Sequence, residues 1–300
     1  MRVLITGATG FVGRHLVAEC ATAGNDVTGT AREEDAPDWL EHYAQIDITG
    51  GDLESLVARV KPEVVYHLAA QSSVGRSWDD PIGTLQTNVI GTARLLAAIE
   101  AAAPDASVVV VGSADVYGAQ DGSPIREDAV VRPQSPYAAS KAACEALAAS
   151  WAHGRGVRVV ATRSFSQLGP GQRSGFALAD WASAVARAVK EGGGVVEAGD
   201  IDVVRDYIHV RDAARAYRVI AEGGEPGGVV NVCSGSGSRL GDLLDRLIKL
   251  AGVDVEIRRT HHRPADIRHL VGDNSRLSAL GWEPVHTIEE GLQEMLDEHR

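Results

Sequence analysis

Residues 1–13 read MRVLITGATGFVG, and the parsing of this stretch decides the fold. Val3–Thr6 is a short apolar run of strand type. Gly7, Gly10 and Gly13 follow at G-x-x-G-x-x-G spacing, and Phe11 opens a stretch of helical pattern. In a strand–turn–helix unit the first Gly permits the tight turn. The second lets a pyrophosphate approach the backbone, and the third lets the helix pack on the sheet. The free N–H groups and dipole of the helix N-terminus favour an anion there. Gly7, Thr9, Gly10, Phe11, Val12 and Gly13 are therefore candidate cofactor residues for a dinucleotide.

Working outward, Asp26–Thr30, Val64–Leu68, Val108–Gly112 and Arg158–Thr162 read as further strands, several of them apolar on both faces. Helices are predicted over Phe11–Ala23, Leu53–Val60, Ile82–Ala103 and Pro136–His153. The alternation predicts an α/β protein with a Rossmann-type doubly wound parallel sheet. After Gly169 the pattern loosens, with Gly and Pro recurring in the stretches Gly169–Gly171, Gly192–Gly194, Gly223–Gly228 and Gly235–Gly237. The expected organisation is a cofactor domain over residues 1–168, to which later segments return, and a smaller C-terminal substrate-binding lobe over residues 169–300.

Composition narrows the function. The 300 residues carry 29 Lys+Arg against 41 Asp+Glu, a net charge of −12, with no Lys/Arg-rich block. A phosphate backbone needs a cationic face, so a general nucleic-acid binder is excluded. No apolar run approaches the roughly 18–20 residues that span a bilayer, and a strand beginning at Arg2 leaves no room for a signal peptide. The expected location is cytoplasmic, away from the membrane. Cys20, Cys144 and Cys233 match no disulfide or zinc spacing, and His261-His262 has no matching acid cluster, so no metal is expected. Gly is in excess, 33 of 300 or about 11% against an average near 7%.

About twenty residues past the glycine loop, an NAD enzyme offers Asp or Glu to the ribose 2′-hydroxyl. Here the run is Gly29-Thr30-Ala31-Arg32, and a guanidinium suits a 2′-phosphate better. NADP(H) is favoured over NAD(H), with Arg32 as its ligand; the alternative has Glu33 or Glu34 holding the ribose. Asp47 and Ile48, then Leu68, Ala69 and Ala70, follow later strands at the cofactor edge. Asp47 either accepts from the adenine amino group or serves as a turn residue.

Tyr137 and Lys141 form Y-x-x-x-K, with Pro136 suited to a helix start. Four residues is about one turn, so both side chains share a face. An adjacent ammonium would lower the phenol's pKa, and the phenol would exchange the proton that accompanies hydride transfer. Ser113 ends the Val108–Gly112 strand, where open α/β sheets bind ligands. It would hold a substrate oxygen.

TGATGFVG, LAAQSSV, TNVIGT, GSADVYG, SPYAASK, RDYIHVRD and NVCSG, in this order, resemble the extended short-chain dehydrogenase/reductase superfamily across nearly the whole chain. GPGQ at Gly169–Gln172, GDIDVVRD at Gly199–Asp206 and RPAD at Arg263–Asp266 resemble its branch acting on GDP-mannose derivatives, the GDP-4-keto-6-deoxy-D-mannose reductases and GDP-mannose 4,6-dehydratases. The resemblance to the reductases implies NADPH-dependent reduction of the 4-keto group of GDP-4-keto-6-deoxy-D-mannose to GDP-D-rhamnose. Tyr137 would protonate the new alkoxide. A dehydratase must also remove the C5 proton and typically places Glu where this chain has Asp115; Ala114 adds no second acid, which ranks reduction first. Ala31–Tyr43, acidic with one Arg, is also unlike the longer Arg-rich loop of the dehydratases.

The resemblance places Arg205 and Arg263 on the diphosphate, Asp266 on a ribose hydroxyl, and Ser72, Ser73 and Arg76 at the sugar. As isolated arginines, Arg205 and Arg263 could equally be salt-bridge partners. Gln172 belongs to the GPGQ segment, and Phe165-Ser166-Gln167 stands where relatives have Phe-Asn-His. Ser166 is thus a shortened substrate residue, with Gln167 available to take over. Relatives dimerise through four-helix bundles, which here would use Ile82–Ala103 and Pro136–His153. A 4-epimerase or dehydratase recycling its cofactor, and a dinucleotide-sensing regulator without catalysis, are the competing readings.

Overall fold

The computed structural model describes residues 1–121, 124–260 and 267–299. The chain runs β1 (Arg2–Thr6), α1 (Phe11–Thr22), β2 (Asp26–Ala31), β3 (His42–Gln45), α2 (Leu53–Val60), β4 (Val64–His67), α3 (Val74–Asp79), α4 (Pro81–Leu85), α5 (Gly91–Ala102), β5 (Ser107–Val111), α6 (Pro136–Arg155) and β6 (Arg158–Ser164). It continues through β7 (Ser166–Leu168), α7 (Ala177–Glu191), β8 (Gly194–Ala198), β9 (Val204–His209), α8 (Val210–Gly223) and β10 (Val229–Val232). The remaining elements are β11 (Gly237–Arg239), α9 (Leu240–Ala251), β12 (Val255–Arg259), β13 (His269–Leu270), α10 (Ser275–Ala279) and α11 (Ile288–Asp297).

Seven parallel strands in the order β3-β2-β1-β4-β5-β6-β10 form the central sheet, the doubly wound arrangement the alternation predicts. Period-2 geometry explains why β1 is apolar on both faces. Val3 and Ile5 pack with Leu16 of α1 and Tyr217 of α8, whereas Leu4 points to the opposite layer with Leu56, Leu95 and Ile99. A separate core joins α7, α9 and α11 to β8. There β7, β11 and β13 all pair with β9, and β12 pairs with β8.

The single helix predicted over Ile82–Ala103 is interrupted. Between α4 and α5 lies one π turn, Gln86–Ile90. Asn88, buried, accepts from the Gln71 N–H (2.8 Å) and donates to Ser140 Oγ (2.8 Å), while its carbonyl accepts from the Thr92 hydroxyl and from Cys144 Sγ–H. Side-chain donors compete for that carbonyl with the regular helix ladder, which accounts for the bulge. At α6 Pro136 starts the helix as read; Ser135 caps the first turn by accepting from the Ala138 N–H (3.1 Å), and Gly156 ends the helix with positive φ.

Candidate active site

Gly7 adopts φ +70°, and a Cβ there would lie 2.8 Å from the Ala69 nitrogen. A Cβ on Gly13 would lie 2.2 Å from the Gly7 carbonyl oxygen, so the third glycine is what lets α1 start this close to the turn. No side chain caps α1, whose N-cap is Gly10. Phe11 and Val12 begin that uncapped turn, leaving early N–H groups for a ligand. These features fit a dinucleotide pyrophosphate.

The Leu68-Ala69-Ala70 segment is half-buried and held to β1: the Leu68 N–H donates to the Thr6 carbonyl (3.2 Å) and the Ala69 N–H to Thr6 Oγ1 (3.2 Å). Thr6 Oγ1 also meets His67 Nδ1 (2.7 Å), and His67 Nε2 meets Thr92 Oγ1 (3.0 Å). Because the Thr92 hydroxyl donates to the Asn88 carbonyl, it accepts from His67; the proton is therefore assigned to Nε2, and Nδ1 accepts from Thr6. Burial and the charge of Lys141 pull the His67 pKa down to about 3, in keeping with this neutral tautomer. The TNVIGT motif contains Asn88 and Thr92, but their tie to His67 carried no sequence signal.

Arg32 is exposed, as are Glu33 and Glu34. Glu33 Oε2 accepts from the Thr9 hydroxyl (3.1 Å) in the glycine loop. Its own backbone N–H, Thr9, Arg173 and Arg32 hold the carboxyl below the usual range, against the opposing effect of burial. Asp47 Oδ1 accepts from the Thr49 N–H (2.8 Å) and hydroxyl (2.6 Å), as the residue of a turn does. Ile48 is core, packed where a Cβ on Gly91 would touch it, so only its backbone is left to contact a ligand. Arg32 and Asp47 border a hollow of about 470 Å³ that none of Ser113, Tyr137 and Lys141 lines.

Ser113, Tyr137 and Lys141 are brought together at the end of β5, all three buried. Ser113 caps the short 3₁₀ turn Ala114–Tyr117 by accepting from the Asp115 N–H (3.2 Å). Lys141 Nζ donates to the Val111 carbonyl (2.8 Å), and burial lowers its pKa. The expectation of a phenol lowered by the ammonium is not met. Burial and then the Asp115 carboxylate push Tyr137 up, with the Ser113 hydroxyl pulling the other way. Lys141 is not among the groups that shift the phenol, whose neutral form burial favours. Burial also raises Asp115, opposed by Arg205.

Arg205 is half-buried, donating to the Val204 (2.9 Å) and Ile267 (2.7 Å) carbonyls, and its nearest charges include Asp115. Ser72, Ser73 and Arg76 lie exposed around α3, and Ser73 Oγ accepts from the Arg76 N–H (3.2 Å) as its cap. Ser166 and Gln172 are half-buried, and Gln172 Nε2 donates to the Gln167 carbonyl (3.0 Å). Gln167 Nε2 donates to the Tyr217 hydroxyl (2.9 Å), which also meets Ser164 Oγ (2.8 Å). Tyr217, remote in sequence, was not identifiable beforehand. Arg263, Asp266 and His261-His262 lie outside the described residues.

Residues 4–295 match the protein family described as GDP-mannose 4,6 dehydratase. The chain is 37% identical to a GDP-6-deoxy-D-mannose reductase of Pseudomonas aeruginosa, over 99% of this chain and 96% of that protein. It is 33% identical to a UDP-glucose 4-epimerase of Mycolicibacterium smegmatis, over 99% and 98%. Among solved structures, RMD from Pseudomonas aeruginosa complexed with NADPH superposes with a TM-score of 0.86 at 33% identity, covering 99% of both chains. The UDP-glucose 4-epimerase of Thermus thermophilus in complex with NAD does so with a TM-score of 0.89 at 30% identity, covering 100% of this chain and 99% of that one.

Proposed function

The chain belongs to the GDP-mannose 4,6-dehydratase family of the extended short-chain dehydrogenase/reductase superfamily, and from that premise we propose that it is an NADPH-dependent 4-ketoreductase converting GDP-4-keto-6-deoxy-D-mannose to GDP-D-rhamnose. Its cofactor is a nicotinamide dinucleotide, which supplies the hydride when bound. Ser113 donates a hydrogen bond to the C4 carbonyl oxygen, drawing electron density toward it. Tyr137, kept protonated by its burial, gives its proton to that oxygen as the carbon is reduced. Lys141 orients the cofactor's ribose and carries the positive charge beside the phenol. Arg205 binds the diphosphate.

One observation carries the choice of reduction over dehydration. The only acid in the segment Ser113–Tyr117 is Asp115, one methylene shorter than the Glu that a dehydratase typically places there, which shortens its reach toward a C5 proton. Glu33 lodged on Thr9 instead favours the rival reading, an epimerase with recycled NAD, because a carboxylate there can accept the ribose hydroxyls. Stoichiometry separates the two. Purified protein given the 4-keto sugar nucleotide should consume one NADPH per product, and turnover without net oxidation of NADPH would overturn the reductase.

The proposal includes residues 1–168 as mainly the cofactor part and 169–300 as mainly the nucleotide-sugar part, supported by β10 returning to the central sheet. It also includes a cytoplasmic enzyme, supported by three free buried cysteines, and a homodimer through α4–α5 and α6. Trp78, Ile82, Leu85 and Ile90 form an exposed apolar series beside α6, suited to such a helix bundle.

A further inference from the structure

Arg163, on β6, is a buried cation that takes no part in the binding or proton transfer described above. It is 4% exposed, and each of its guanidinium nitrogens has a partner. Nε and Nη2 donate to Glu145 Oε2 (2.9 Å) and Oε1 (2.6 Å), and Nη1 donates to the Glu127 carbonyl (2.9 Å). Its Cζ lies over the Tyr117 ring, 4.6 Å from the ring centre. A planar guanidinium can grip a carboxylate by its edge and an aromatic ring by its face at once, which the ammonium of lysine cannot.

Both partners belong to segments that carry reacting groups. Glu145 is on α6, four residues past Lys141 and eight past Tyr137, so the three follow one another along one side of the helix. Tyr117 closes the 3₁₀ turn that Ser113 caps, and its hydroxyl donates to Asn231 Oδ1 (2.6 Å) on β10, which holds the far end of the ring. One rigid group thus touches both the turn that follows Ser113 and the helix that presents Tyr137. We propose that Arg163 is a positioning residue for the reduction: with Glu145 and Tyr117 it sets the separation of the Ser113 hydroxyl and the Tyr137 phenol, the two groups that must reach one carbonyl oxygen. The identity of that oxygen rests on the ketoreductase reading above. A misplacement of about 1 Å is enough to lower turnover by about 100-fold. The diphosphate, held by Arg205 on β9, is bound without either segment.

The test compares Arg163→Lys and Glu145→Gln with wild type in the whole protein. Arg163→Lys keeps the charge but loses the fork and the planar face; kcat should fall about 10- to 100-fold, with KM for the nucleotide sugar changed by less than about threefold. Glu145→Gln retains one acceptor and should act in the same direction to a smaller degree; at a carboxyl that is not fully buried, it keeps the test open should Arg163→Lys not fold. Hydrogen exchange read by mass spectrometry needs no substrate: peptides over residues 113–118 and 136–145 should lose protection in both variants while those of β1 and β2 keep it. Exchange that rises equally in all peptides, or kcat within about twofold of wild type in both variants, would leave Arg163 a fold-stabilising charge and overturn the proposal. If the wild type turns the sugar nucleotide over without net oxidation of NADPH, the reductase reading falls, and the kcat ratios and exchange pattern still decide the role of Arg163.

Discussion

The two halves of the cleft are finished to different degrees. On the cofactor side, hydrogen bonds run in one direction from the Ala69 N–H through Thr6, His67 and Thr92 to the Asn88 carbonyl, and Asn88 ties that run to α6, which carries Tyr137 and Lys141. On the other side, Gln167 Oε1, Gln172 Oε1 and His269 Nδ1 are buried without a partner among the described residues, against Thr30 Oγ1 at the end of β2 on the cofactor side. A buried acceptor left unsatisfied costs about 1–3 kcal/mol. The lesson is that the cofactor side is more fully bonded within itself, whereas the other side holds more buried polar atoms that lack a partner among the described residues.

The largest effect tests whether chemistry belongs to the finished side. Tyr137→Phe removes the proton donor, and with it the bond to the Ser113 hydroxyl, while keeping the ring that packs in the core. Turnover should fall by about 10²- to 10⁴-fold, the usual worth of general acid catalysis, with dinucleotide affinity unchanged in a fluorescence titration. A variant within tenfold of wild type would detach Tyr137 from the reaction.

Arg205→Met probes the unfinished side. Its guanidinium is held by two backbone carbonyls, with no carboxylate in hydrogen-bond contact among the described residues. KM for the nucleotide sugar should rise about 10- to 100-fold with kcat less affected and dinucleotide binding intact. If KM holds and only thermal stability drops, Arg205 belongs to the scaffold.

These two predictions draw on residues of different legibility. The glycine loop and Y-x-x-x-K were readable because their geometry is local: spacing along one turn or one helix fixes which groups meet. The parallel sheet was readable because both faces of its strands are buried, which leaves uninterrupted apolar runs. Contacts across the fold left no such trace. Glu33 meets Thr9 from 24 positions away, and His67 meets Thr6 from 61, through pairings set by the strand order. The π turn was hidden for the same reason, since Asn88 bonds to Ser140 across 52 residues. The upward shift of the phenol was not legible because its largest cause is burial, which depends on elements packed over it that motif spacing does not reveal.

Acid should loosen the finished side through its histidine. In the folded chain His67 has a pKa of about 3, against roughly 6.5 when unfolded, so between these values only the unfolded chain takes up the proton. Stability contributed by the neutral ring is complete above about pH 6.5 and is lost as pH falls, by at most about 1.4 kcal/mol per unit. Urea unfolding at pH 7, 6 and 5 should show this slope, reduced in His67→Asn. His15 and His209, also lowered mainly by burial, add to the slope of both proteins, so the difference between them isolates His67. Equal slopes would mean that protonated His67 is tolerated in the fold.

The smallest effect sharpens the contrast at Ser166. On β7, Ser166 pairs with Tyr207 and is half-buried one residue before Gln167. An asparagine side chain there would add a donor and an acceptor that serine lacks. If the sugar nucleotide lies as it does in relatives that carry asparagine, Ser166→Asn completes a bond the unfinished side leaves open, and KM should fall by a factor of about 3, the worth of a weak net hydrogen bond. If Gln167 has taken over that contact, the added amide crowds a place already filled and KM rises. Gln167→Ala, made in the wild-type and in the Ser166→Asn background, decides which partner the ligand uses. A larger KM increase in the Ser166→Asn background would mean that both side chains act together, whereas full rescue of Gln167→Ala by Ser166→Asn would make them alternatives. Because each outcome moves KM and none should move dinucleotide affinity, a change in the latter would show that the two sides of the cleft are coupled rather than separately built.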